Sequence, residues 1–60
     1  MVVGLKTYYT LDSDIYNFLH KNLSGIAFFR KENDKFYIKS PKNKLIEEFL
    51  TKKFIFIVNQ

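Results

Sequence analysis

Ile26-Ala27-Phe28-Phe29-Arg30-Lys31 and Phe36-Tyr37-Ile38-Lys39 are two short runs on either side of Glu32-Asn33-Asp34-Lys35. Aromatic and β-branched residues suit strands, and Asn-Asp tolerates the positive φ of a tight turn, so the stretch is expected to be a β-hairpin. With Asn33-Asp34 as a two-residue loop, Lys31 opposes Phe36, Arg30 opposes Tyr37, Phe29 opposes Ile38 and Phe28 opposes Lys39. Side chains alternate across a strand, so this register sorts them into two faces. Ala27, Phe29, Phe36 and Ile38 form the core side, with Lys31 at its rim. Phe28, Arg30, Tyr37 and Lys39 form the other side, which mixes aromatic and basic groups.

The flanks add a helix and a strand at each end. Val2 to Thr10 reads as a strand with Val3, Leu5 and Tyr9 toward the core and Lys6 and Tyr8 on the open side. Asp12-Ser13-Asp14 supplies an N-cap, and Leu11, Ile15, Phe18, Leu19 and Leu23 recur at helical spacing, so a helix is expected over about 13–23. Ser24-Gly25 ends it, since glycine takes the left-handed conformation at a helix C-terminus. Ser40-Pro41 reads as the start of a second helix, with Leu45, Ile46, Phe49 and Leu50 as its apolar stripe and Glu48 paired with Lys52. Phe54 to Val58 reads as a last strand with Phe54, Phe56 and Val58 on one face and Ile55 and Ile57 on the other. The order β-α-β-β-α-β resembles the split β-α-β pattern of the ferredoxin-like fold: an α+β sandwich whose four-stranded antiparallel sheet carries both helices on one face. The competing arrangements omit the first strand from the sheet or leave the last one in a swapped dimer.

Length and composition limit how such a fold is held and what it does. Sixty residues make a single domain, 1–60, and a chain of this size buries only about 60% of the surface its unfolded form exposes. There is no cysteine and His20 is the only histidine, so neither disulfides nor a metal supplements the core, and a partner subunit is left as the support. The lack of cysteine fits a reducing compartment, and the chain is read as cytoplasmic. No apolar run approaches the roughly 20 residues of a membrane span, and Met-Val-Val-Gly-Leu-Lys lacks the pattern of a signal peptide. The expectation is a soluble chain complete from Met1. Its formal charge is +4, and the whole excess lies between Arg30 and Lys44. Lys, Asn, Ile, Phe and Tyr fill just over half the positions and share A/T-rich codons, so part of that excess reflects composition.

The expected open face sets Tyr8, Phe28 and Tyr37 among Lys6, Arg30 and Lys39. Single-stranded nucleic-acid binders stack bases on such rings and hold phosphates with such cations. The RNA-recognition motif does so on the same topology. However, Lys35-Phe36-Tyr37-Ile38-Lys39 lacks the Gly-Phe-Gly-Phe core of that family, so the likeness is one of surface, not of membership. Lys42 and Lys44, in the first turns of the second helix, are a further binding candidate, because free N–H groups after Ser40 would join them in holding an anion.

Catalysis is not expected. His20 lies beside Tyr16 on a helix flank with no nucleophile or orienting partner in view, Glu47 and Glu48 diverge on their helix, and two glycines make no phosphate loop. The two-faced last strand adds exposed apolar area of the kind that marks protein interfaces, with Lys52 and Lys53 ahead of it as gatekeepers against aggregation. The reading is a non-catalytic interaction protein, without cofactor or metal, that binds a protein partner or a second copy through its sheet face or edge. Chains this short without an enzyme signature are often phage or mobile-element inhibitors of a host machine. The alternative is single-stranded nucleic-acid binding by the same face.

Overall fold

A computed structural model describes residues 4–58. In chain order it contains β1 (Lys6–Thr10), α1 (Ser13–Asn22), β2 (Phe28–Glu32), β3 (Lys35–Ser40), α2 (Lys44–Thr51) and β4 (Phe56–Ile57). The architecture is α+β, a four-stranded antiparallel sheet in the order β2-β3-β1-β4 with two helices. The first strand is therefore central to the sheet, not left out of it. Val2 and Val3 lie outside the described residues.

The hairpin forms in the expected register, Phe28 opposite Lys39 through Lys31 opposite Phe36. Asn33 supplies the positive φ of its loop, at 55°. The Asp12 carboxylate caps α1 by accepting from the backbone N–H groups of Asp14 at 2.9 Å and Ile15 at 3.4 Å. Gly25, at φ 88°, turns the chain after that helix toward β2.

Tyr8, Leu19, Leu23, Ala27, Ile38, Ile46 and Ile55 make one buried cluster, so Leu19 of α1 and Ile46 of α2 meet on the same side of the sheet. Phe29 packs there too: its ring lies 4.6 Å from that of His20 and 5.8 Å, edge-on, from that of Tyr16. Two buried hydroxyls serve the ends of strands. Thr10 Oγ1 donates to the Phe54 carbonyl at 2.9 Å and accepts from the Asp12 N–H at 3.1 Å, tying β1, the approach to β4 and the start of α1 together.

Four expectations are corrected. The first concerns β1, which is turned over: Tyr8 is buried and Tyr9 lies on the open side, while Leu5 precedes the strand and is exposed. The cause is Thr10, whose two hydrogen bonds place the even-numbered residues inward. The second concerns α2, which begins after Asn43, not after Ser40. Ser40 is used up as the last residue of β3, opposite Lys6, and its hydroxyl donates to the Pro41 carbonyl. Asn43 caps in its place, accepting from the Leu45 N–H at 2.8 Å. The third concerns β4, which spans two residues because α2 ends in a turn that holds Phe54: its N–H donates to the Phe49 carbonyl and its ring faces that of Phe49. The fourth concerns the expected Glu48 and Lys52 pair, which is absent: the one ion pair among the described residues joins Arg30 to Glu32.

Candidate functional site

The sheet face opposite the helices is built as transverse rows, because residues paired across antiparallel strands share a face. One row crosses all four strands: Arg30 opposite Tyr37, Tyr37 opposite Tyr9, Tyr9 opposite Phe56. Its rings touch, with centroids 6.3 Å apart between Tyr37 and Tyr9 and 5.3 Å between Tyr9 and Phe56. The next row holds Phe28, Lys39 and Thr7. Between these rows, on the β2 side, lies an open groove of about 390 Å³ lined by Thr7, Phe28, Arg30, Tyr37 and Lys39 together with part of Phe29.

The cations of this face are held differently. Arg30 Nη2 donates to Glu32 Oε1 at 3.1 Å, and its guanidinium carbon sits 5.3 Å from the centre of the Tyr37 ring. Both partners of that ion pair are largely exposed, so it adds about 0–1 kcal/mol and acts chiefly to orient the guanidinium. Lys35 Nζ lies 5.2 Å from the centre of Tyr9, and Lys39 is exposed at the groove wall. Phe28 is 67% exposed, the most open of the large apolar side chains among the described residues.

Of the residues expected to form the site, Phe28, Arg30, Tyr37 and Lys39 are brought together. Tyr8 and Lys6 are not, because the reversed parity of β1 puts both on the helix side. There Tyr8 is buried, and burial first, then the Glu47 carboxylate, pushes its phenol above its ordinary value. Lys42 and Lys44 are also elsewhere: Lys42 lies in the loop before Asn43, and Lys44 opens α2. Sequence reasoning missed Thr7, Tyr9 and Phe56, which follow once the parity of β1 is known, and Lys35, which shares the parity of Tyr37 and Lys39 in the hairpin.

The basic segment from Arg30 to Lys44 does not fold into one basic surface. Arg30, Lys35 and Lys39 point to the open side, and Lys31 reaches over the Phe36 ring on the helix side, 5.8 Å from its centre. Among the described residues no cluster of His, Asp or Glu is arranged to hold a metal ion, and no helix is long and apolar enough to cross a membrane. His20 packs on Phe29 at the rim of the helix side. Comparisons with protein-family models, with curated proteins and with solved structures find no match to this chain.

Proposed function

We propose that this chain is a non-catalytic interaction module that docks on a larger protein partner through the open face of its sheet. One observation carries the reading: Phe28 stands two-thirds exposed at the wall of a groove whose other walls are Arg30, Tyr37, Lys39 and Thr7. Burying a phenyl side chain is worth about 1.5–3 kcal/mol. Aromatic anchors ringed by Arg and Tyr are also what the energetic centres of protein interfaces are made of. Covering a working surface of the partner is the simplest action for so small a module, in the manner of phage and mobile-element inhibitors of host machines. The β2-β3-β1-β4 order, in which each helix joins two strands with a third between them, supports reading the architecture as ferredoxin-like.

Charge distribution favours a protein over single-stranded nucleic acid. Among the described residues three cations, Arg30, Lys35 and Lys39, lie on this face, with the Glu32 carboxylate beside Arg30, and polyanion affinity grows with the number of phosphates neutralised. Two measurements test the reading. Capture from cell extract by the wild type, by Phe28→Ala/Arg30→Ala and by Lys42→Ala/Lys44→Ala is expected to yield a partner lost only with the first variant. A partner held equally by that variant refutes the assignment. Tight oligonucleotide binding that falls steeply with salt and disappears in Tyr37→Ala would transfer the face to nucleic acid.

A further inference from the structure

Among the described residues the sheet has two edges that no further strand covers, β2 and β4, and they differ in their side chains. β2 carries Arg30, Lys31 and Glu32 in succession, charges of the kind that discourage a further strand from pairing. β4 carries none. Phe56 and Ile57 are 39% and 45% exposed on its opposite sides, and Phe54 just before it is 49% exposed.

Register fixes the direction of the backbone along this edge. The Val58 N–H donates to the Thr7 carbonyl at 2.9 Å, and Phe56 and Ile57 pair with Tyr9 and Tyr8. Hydrogen-bonded and non-bonded pairs alternate along an antiparallel ladder. Val58 and Phe56 are therefore the bonded positions, and the N–H and C=O of Ile57 point off the sheet. An extended chain can pair with them.

Lys52 and Lys53 lie at the N-terminal end of β4, where a chain running parallel to it would begin. Lys53 is the residue after the cap of α2: its N–H donates to the Leu50 carbonyl at 3.0 Å and the Phe54 N–H to the Phe49 carbonyl at 2.9 Å, the paired closure that normally ends in glycine. Lys53 holds φ at 66°, where a β-carbon costs roughly 1–2 kcal/mol. Backbone strain there favours glycine, the dipole of α2 returns about 0.3–1 kcal/mol to a cation at its C-terminus, and a carboxylate on a neighbouring chain would add to that. Among the described residues neither Lys52 nor Lys53 makes an ion pair.

We propose that the β4 edge is a strand-addition site for an extended segment of a partner protein, apolar beside Phe56 and Ile57 and carrying carboxylates beside Lys52 and Lys53. In such additions main-chain hydrogen bonds supply affinity and the alternating side chains supply selectivity. The site is separate from the groove on the open face, so either stands if the other fails.

The test is an NMR titration of the full chain at low salt with the capped peptide Glu-Glu-Val-Thr-Val-Val-Thr and its Gln-Gln counterpart. Expected are shifts and slowed amide exchange at Ile57, weaker binding of the Gln-Gln peptide, and loss of binding in Ile57→Pro, which removes the outward donor without touching a bond to β1. Lys53→Gly discriminates further and stays informative if Ile57→Pro unfolds. It is expected to raise Tm while weakening the Glu-Glu peptide about threefold, as one surface charge pair is lost. Lys53→Gly binding unchanged, shifts centred on β2 or the groove, or no shift at any peptide concentration would each overturn the proposal. So would a dimeric mass with Ile57 already protected before peptide is added, which would assign the edge to a second copy of the chain.

Discussion

Phe28 and Phe29 are adjacent, chemically identical and on opposite sides of β2, so replacing each by alanine asks which face of the sheet carries the fold. Phe29 is partly buried and packs on His20 and Tyr16. Truncating a fully buried phenylalanine costs about 3–5 kcal/mol. Scaling to partial burial and adding the edge-on contact, worth about 0.5–1.5 kcal/mol, gives about 2–3 kcal/mol for Phe29→Ala. Phe28 is 67% exposed, and Phe28→Ala is expected to change stability by under about 0.5 kcal/mol. In a chain of this length each kcal/mol moves Tm by about 4–8 °C, so Phe29→Ala lowers Tm by about 10–20 °C and Phe28→Ala by a few degrees at most. Thermal melts followed by circular dichroism, with urea midpoints at unchanged m-value, read both numbers. If Phe28→Ala costs as much as Phe29→Ala, the faces have been assigned the wrong way round, and the docking groove falls with them.

Three other changes test separate joints. Tyr8, whose phenol is pushed above its ordinary value of 10.0, is favoured neutral in the fold, so its contribution is complete below that value and is lost as pH rises through the folded value. Between about pH 9 and about pH 11 the wild type is expected to lose stability faster than Tyr8→Phe, and parallel urea midpoints across that range would contradict the burial argument. Thr10→Val keeps the shape but leaves the Phe54 carbonyl and the Asp12 N–H without their partner, an expected loss of about 1–3 kcal/mol with faster amide exchange in β4. Asn43→Ala is expected to cost about 1 kcal/mol and to fray α2 in helix-sensitive circular dichroism, while Ser40→Ala leaves the helical signal unchanged; the reverse result would restore Ser40 as the cap.

The hairpin was legible because its loop leaves little freedom. Two residues between strands fix the register, and the register assigns every side chain from Phe28 to Lys39 to a face. The first helix was legible for a similar reason, since Asp12 is the acceptor at its start and Gly25 the only glycine near its end. The start of the second helix reads as Ser40-Pro41 in the sequence, whereas the cap is Asn43, three residues after Ser40. Propensity ranks serine and asparagine alike. What separates them is tertiary: β3 extends to Ser40 in order to pair with Lys6, and a residue bonded into a ladder is no longer available as a cap.

The parity of β1 was the least legible feature, and the site depends on it. Lys6-Thr7-Tyr8-Tyr9-Thr10 offers one tyrosine to each face, so alternation alone favours neither. Extrapolating from the apolar Val3 and Leu5 chose the odd residues for the core, but Leu5 precedes the strand and is 43% exposed, so it exerts no pull on the residues that follow. The pull comes from the other end. A hydroxyl that accepts from the Asp12 N–H and donates to the Phe54 carbonyl has to point toward the helix side, and once Thr10 does so, Tyr8 must follow it inward. Tyr9 is then left on the open side, opposite Tyr37 and Phe56. A threonine two residues ahead of a helix N-cap therefore carried more information about this sheet than the adjacent pair of tyrosines, because its polar group had two specific partners, whereas either aromatic ring can pack on either face.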